Sequence, residues 1–371
     1  MNFSRLPVAK SNLQKPLLII PCNQEDDDYT STSERCLLSL SDEKLYKFKE
    51  NVFKGLDDAW WVGSSYGWLV ILDEKARPLL LNPFSGDRIR LPLIPKAFRQ
   101  CGSESYFVEQ LRKNFIARAV LQFSPSTSIF SAVIIYGCNY KLAYCSYAEN
   151  RWTNLAGAKR AYMDIIFCNV KLYALAVNGS VEVWDFRGNL PMKILDIEPS
   201  FAIEEEKNIN FPIDKFSTQF YLVELKGEIL LVKRIVGNFV NAGKAVYETD
   251  LLTDEDTQPL VCPYRTMHFN LYKLDFKRIK WEKLNSLNDQ ILFLGGNHSI
   301  SMSAQDLPNF EANSIHFTDN RWDEMNEDYL YGGHDLDVFN FEYGSIKPLY
   351  VCEMDRIYLP PLLAVLHSIL N

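Results

Sequence analysis

An all-β fold, a β-propeller of about six four-stranded blades with short helical insertions, is what this sequence predicts. Three observations carry it. Short apolar runs recur along the chain with turn residues between them, the spacing of antiparallel meanders. Aromatic residues make up 13% of the 371 residues, with 23 Phe and 19 Tyr, a composition tilted towards strand formers. The tryptophans at 60, 61, 68, 152, 184, 281 and 322 are spread roughly once per presumed blade, where blade-to-blade packing would use them.

Taken in order, residues 1–35 read as a tail and an acidic linker, because Glu25-Asp26-Asp27-Asp28 cannot bury enough surface to order itself. The basic, acid-free start with Arg5, Lys10 and Lys15 is also the pattern of an organellar transit segment. Residues 36–352 are assigned to the propeller and 353–371 to a C-terminal tail. Leu37-Leu38-Ser39-Leu40 and Leu45-Tyr46-Lys47-Phe48 frame a polar turn, and they are expected to complete the last blade beside strands at 345–351. In Gly63-Ser64-Ser65-Tyr66-Gly67-Trp68-Leu69 a turn at Gly67 opens a buried strand beginning at Trp68, and Asn82-Pro83-Phe84-Ser85-Gly86 is turn chemistry before Leu91-Pro92. Blade starts fall near Ser64, Arg118, Tyr162, Phe220 and Gln290, with insertions at 97–114, 198–212 and 237–263. Helical character is confined to residues 104–116, with Phe107, Val108, Leu111 and Phe115 on an apolar side, and to the run after Pro361, which must dock somewhere.

The chemistry in the sequence points away from catalysis. A formal charge of −8, from 47 acidic and 39 basic residues, gives no summed field towards nucleic acid, and no apolar run is long enough to span a bilayer. The eight cysteines lack a CxxC pair and follow no secretory leader, so a reducing compartment is expected, cytoplasmic or nuclear, with an organelle as the alternative. Cys138, Cys145 and Cys168 read as small buried hydrophobes. His298, His316 and His334 lack the close spacing of zinc ligands, so no metal and no cofactor are expected. No nucleophile elbow, phosphate loop or dinucleotide fingerprint is present, so no catalytic residue is assigned. Asp164 and Glu224, each between apolar neighbours, are the candidates for carboxylates in a central channel. The polar segment at 320–329 holds Arg321, Trp322 and Tyr329, the composition of an interface hot spot, and these three are the expected partner-binding residues.

The Gly63-to-Pro92 series resembles the first repeat of the KIB-type, kelch-like β-propeller family of plant F-box proteins. Tyr162-Met163-Asp164-Ile165-Ile166, Lys171-Leu172-Tyr173-Ala174, Tyr221-Leu222-Val223-Glu224, Leu292-Phe293-Leu294-Gly295 and Ser314-Ile315-His316-Phe317-Thr318-Asp319 continue the likeness in order. The resemblance implies a non-enzymatic module that grips a partner protein through propeller loops, as the substrate receptor of an SCF-type ubiquitin ligase. It departs from the family before the propeller, where Leu6-Pro7 is the one echo of an F-box, so a Skp-type adaptor is not an expected partner. Two further readings stand beside it: an F-box-less organellar relative, and a propeller enzyme acting on a carbohydrate or small metabolite through channel carboxylates.

Overall fold

The computed structural model describes residues 14–21, 35–40, 44–48, 52–56, 59–101, 104–105, 107–124, 129–146, 150–188, 190–199, 211–250, 264–321, 335–348 and 362–367. They form six sheets of four or five strands and two small hairpins, the blades that the strand pattern predicts. The chain packs as two compact units. One comprises Met1–Val177, Val183–Ile194 and Leu362–Asn371; the other comprises Asn178–Glu182 and Leu195–Pro361.

In the first unit, Trp60–Ser65, Trp68–Leu72, Pro78–Leu81 and Arg88–Arg90 form a meander. Its first hairpin turns at Tyr66 and Gly67, both left-handed, so that Ser65 and Trp68 face each other. Trp68 is buried, as is every residue of the strand it begins. A Cβ on Gly63 would lie 2.2 Å from the Ala119 carbonyl oxygen, so glycine lets this strand approach the next blade. That blade runs through Ile116–Ser124, Ile129–Tyr136, Lys141–Ser146 and Arg151–Asn154. Trp152 ties back to its neighbour by donating from Nε1 to the Pro92 carbonyl at 2.8 Å. A further sheet holds Tyr162–Cys168, Lys171–Ala176, Val181–Asp185 and Met192–Ile197, most of it in this unit. Its core joins Tyr162, Ile165 and Trp184 to Val133, Ile135 and Tyr144.

Both chain ends differ from the expected tails. Gln14–Pro21 is a strand paired with Arg35–Ser39 on one side and Leu362–His367 on the other. Leu17-Leu18-Ile19-Ile20 is buried, and that apolar run is the strand signal that the flanking Pro16 and Pro21 obscured. The run after Pro361 is a strand, not a helix: six residues make a marginal helix but gain a full ladder against Gln14–Pro21. Arg35–Ser39 and Lys44–Lys47 therefore lie with these two strands. Ser345–Pro348, the partner expected for them, pairs instead with Asp337–Asn340.

The insertion at 97–114 is more divided than a single amphipathic helix. It holds a turn of 3-10 helix at Lys96–Arg99, a hairpin of Gln100–Cys101 with Glu104–Ser105, and a helix limited to Val108–Lys113. Leu111 and Phe115 are buried as expected, but Phe107 and Val108 face solvent. Cys145 and Cys168 are buried free thiols. Cys36 and Cys138 are disulfide-bonded, which corrects the expectation of uniformly reduced cysteines, and Cys138 lies at the surface. Spacing in sequence does not report which thiols meet in space.

The second unit contains a sheet of Phe216–Leu225, Glu228–Gly237, Arg265–Asp275 and Lys280–Leu284. Beside it is a five-stranded sheet in the order Ser299–Ser303, Gln290–Leu294, Ser314–Phe317, Asp337–Asn340, Ser345–Pro348. Gln290–Leu294 pairs parallel with Ser314–Phe317, so this blade is not the simple four-stranded meander expected. One apolar core joins the two sheets through Tyr221, Val223, Phe269, Leu292, Phe317 and Phe339.

Candidate protein-binding face of the second unit

Residues 320–329, expected as the partner-binding loop, begin where the strand Ser314–Phe317 ends. Arg321 is half-buried, and its guanidinium lies 4.4 Å above the Tyr264 ring and donates to Ser217 Oγ at 2.6 Å. Trp322 and Tyr329 lie outside the described residues. What the structure shows in detail is how the residues on both sides of 322–334 are held.

Arg234, in the strand Glu228–Gly237, is 1% exposed and stands at the centre. Its Nη2 donates to Asp335 Oδ2 at 2.8 Å, Nε to Thr266 Oγ1 at 2.7 Å, and Nη1 to the Tyr221 hydroxyl at 3.0 Å and the Thr318 carbonyl at 2.9 Å. A guanidinium suits this position because its planar fork offers five donors in fixed directions. Asp335 also accepts from the Thr266 backbone N–H at 3.0 Å and from its hydroxyl at 2.7 Å. Asp319 accepts from the Tyr264 hydroxyl at 2.6 Å, the Asp335 N–H at 3.2 Å and the Arg321 N–H at 3.0 Å. Asn320 donates to the Tyr221 hydroxyl at 2.7 Å. Thr318 and Asp335, on the two sides of residues 322–334, are thus both hydrogen-bonded to Arg234, while Asp319 links Arg321 to Asp335.

The electrostatics follow from burial. Desolvation alone would lower the pKa of Arg234, but Tyr221, Asp335 and Asp319 outweigh it, and the guanidinium stays charged. Burial and then the charge of Asp335 raise the Asp319 carboxyl, against hydrogen bonds from Tyr264 and Arg321. Burial and the Asp319 charge hold the Tyr264 phenol well above its ordinary value. The sequence marked Arg321 but missed Arg234, Tyr264, Asp319 and Asp335. A lone arginine between Lys233 and Ile235 in an apolar strand was the available signal, since a cation is almost never buried without partners.

The carboxylates expected in a channel are each engaged locally. Asp164, 1% exposed, is ion-paired with Arg118 Nε at 2.6 Å, joining the strands Ile116–Ser124 and Tyr162–Cys168 of the first unit. Glu224 Oε1 accepts the Gly227 N–H and closes the turn between Phe216–Leu225 and Glu228–Gly237. Raised carboxyls occur instead at Asp319 and Asp337; Asp337 borders a cavity, whereas Asp319 is 1% exposed and used by Tyr264 and Asp335. Of the three histidines, His316 is buried between the rings of Phe293 and Phe310, His298 lies in the turn closed by its own carbonyl and the Gly295 N–H, and His334 is outside the described residues. Among the described residues no group of three or more His, Cys, Asp or Glu side chains could hold a metal ion. No helix among them is long and apolar enough to cross a membrane.

Comparison with known proteins agrees with this architecture. A probable F-box protein of Arabidopsis thaliana is 23% identical over 84% of this chain and 76% of its own length. F-box only protein 7 of the same plant is 21% identical over 74% of this chain and 67% of its own. The Arabidopsis F-box/kelch-repeat protein KIB1 is 22% identical over 79% and 63%. The family model described as the KIB1-4 beta-propeller matches residues 37–340, most of the sequence, and the chain therefore belongs to the KIB1-4 β-propeller family.

Proposed function

We propose that this propeller is a non-enzymatic protein-binding module, the substrate-holding part of an F-box-type ubiquitin ligase receptor, and that residues 320–334 of the second unit form its gripping loop. The observation that carries the reading is the buried Arg234 hub, which fixes both flanks of that segment by bonding Asp335 on one side and Thr318 on the other. Fixed flanks set where the segment leaves and rejoins the fold, and fixing those points lowers the ordering cost of binding. Arg321, Trp322 and Tyr329 supply the residue types that dominate interface energies. The family relationship supports a binding role, because its named relatives are F-box proteins. The carbohydrate-enzyme alternative needs two free acids facing one another, whereas Asp164 and Glu224 are each held by a local partner.

The test is affinity capture, followed by a binding assay with the purified partner. Arg321→Ala with Trp322→Ala should weaken binding by at least about 2 kcal/mol, the threshold of a hot spot. Unchanged affinity would overturn the assignment of the loop. The chain as given should not retain a purified Skp-type adaptor, and stoichiometric capture would show that these residues do contact it.

A further inference from the structure

A cavity of about 510 Å³ opens in the second unit between the hairpin Val240–Asn241/Lys244–Ala245, the start of Arg265–Asp275 and the strands Asp337–Asn340 and Ser345–Pro348. Its walls are built by specific local devices. Ala242 and Gly243 are both left-handed, the signature of a tight two-residue hairpin. Ile235 faces His268 and Val236 faces Thr266, so Met267 is a bulge residue turned out of the ladder, and it lines the cavity. Gly237 lets the hairpin sit close, since a Cβ there would meet Val240 at 2.8 Å and Met267 at 3.3 Å.

Asp337 borders this space, and its carboxylate makes no hydrogen bond or ion pair with any other described residue, although it is largely removed from water. Its neighbours are committed elsewhere. Arg265, which also lines the cavity and carries its one lining cation, donates from Nη1 to the Tyr264 carbonyl at 3.0 Å and makes no ion pair with Asp337, and Arg234 and Asp335 satisfy each other. Val240, Met267 and Ile346 give the cavity an apolar wall. A carboxylate in such a place costs free energy unless a donor reaches it. A neutral guest leaves the cost in place, and an anion would leave the Asp337 carboxylate without a donor and add repulsion from it, whereas Asp335 behind it is compensated by Arg234.

We propose that this cavity receives the lysine side chain of a partner protein, with Asp337 as counter-ion to the ammonium and Val240, Met267 and Ile346 against the methylene stem. The proposal rests on the protein-binding reading above and names the side chain that the partner inserts. Burial, then the charge of Asp335, against Arg265 and Arg234, push the Asp337 carboxyl up to about 7, the state a buried acid takes when no cation is bound. An ammonium beside it reverses that shift.

The experiment uses N-acetyl-lysine N-methylamide and its uncharged isostere N-acetyl-norleucine N-methylamide, with the Asp337 side-chain carbon resonance followed through a pH titration. The lysine probe should bind about tenfold more tightly than the norleucine probe and lower the apparent pKa of Asp337 by about one unit or more. Asp337→Asn should abolish the preference. Equal binding of the two probes, no binding, or a preference that survives Asp337→Asn would overturn the proposal. Should Asp337→Asn fail to fold, Val240→Trp fills the cavity from its wall, and retained lysine binding in that variant is equally contradictory. Loss of this site with intact partner binding at Arg321 and Trp322 would sink the lysine assignment alone; lysine binding without any partner captured would sink the protein-binding reading alone.

Discussion

Arg118 in the first unit and Arg234 in the second are both buried cations in blade strands, and they do different things. Arg118 meets Asp164 at 2.6 Å and ties one blade's opening strand to that of the next. Arg234 meets Asp335 at 2.8 Å, but its other partners include Tyr221, Thr266 and the Thr318 carbonyl, so its reach ends on either side of residues 322–334. A buried ion pair is weak evidence for stability by itself, because desolvation offsets most of the attraction. What distinguishes the two is the element being held. Strand-to-strand pairing fixes scaffold, whereas pairing to the two flanks of 322–334 fixes where that segment leaves and rejoins the fold.

The largest expected effect is that of Arg234→Ala, at the upper end of about 3–5 kcal/mol in chemical denaturation, since it strands buried Asp335 without its cation. It should also abolish partner binding at temperatures where the variant is folded. Arg118→Ala should cost nearer the lower end of that range and leave partner binding intact. If both variants, or neither, lose the partner, the distinction between scaffold and loop anchor collapses.

Gly63→Ala comes next, at about 1–3 kcal/mol, because the new methyl meets backbone at Ala119 and cannot be relieved by a rotamer change. A smaller and pH-dependent effect sharpens the picture of the second unit. His316 is 7% exposed, neither ring nitrogen has a hydrogen-bond partner, and burial drives its pKa from 6.5 down to about 3. The unfolded chain therefore binds a proton that the fold refuses. Its contribution is complete above pH 6.5 and is lost as pH falls towards 3, by up to about 1.4 kcal/mol per pH unit. His316→Phe should flatten that part of the stability curve, and an unchanged acid slope would show that other groups set it.

Much of the blade pattern is legible because it is local. Turn residues and short apolar runs located the strands beginning at Trp60, Ile116, Tyr162, Phe216 and Gln290 within a few residues of the expected starts. The partnership of Gln14–Pro21 with Leu362–His367 was not legible, because it joins residues more than three hundred positions apart and neither run announces its mate. The same limit hid the hub. Arg321 stands out by its neighbours in sequence, but Arg234, Thr266 and Asp335 acquire meaning only when two strands and a residue just before a third bring them within 3 Å of one another. The cavity at Asp337 was equally silent, since a sequence reads Asp335-Leu336-Asp337 as polar hairpin chemistry and cannot show that one carboxylate is satisfied and the other is not.

The most direct test of the protein-binding account places a photo-crosslinking amino acid at position 322, and in a second preparation at the exposed Leu93 of the first unit, before incubation with plant extract. A discrete protein adduct at 322, absent at 93 and lost in Arg234→Ala, is the predicted result. Adducts at 93 but not at 322, or an adduct at 322 that persists in Arg234→Ala, would contradict it.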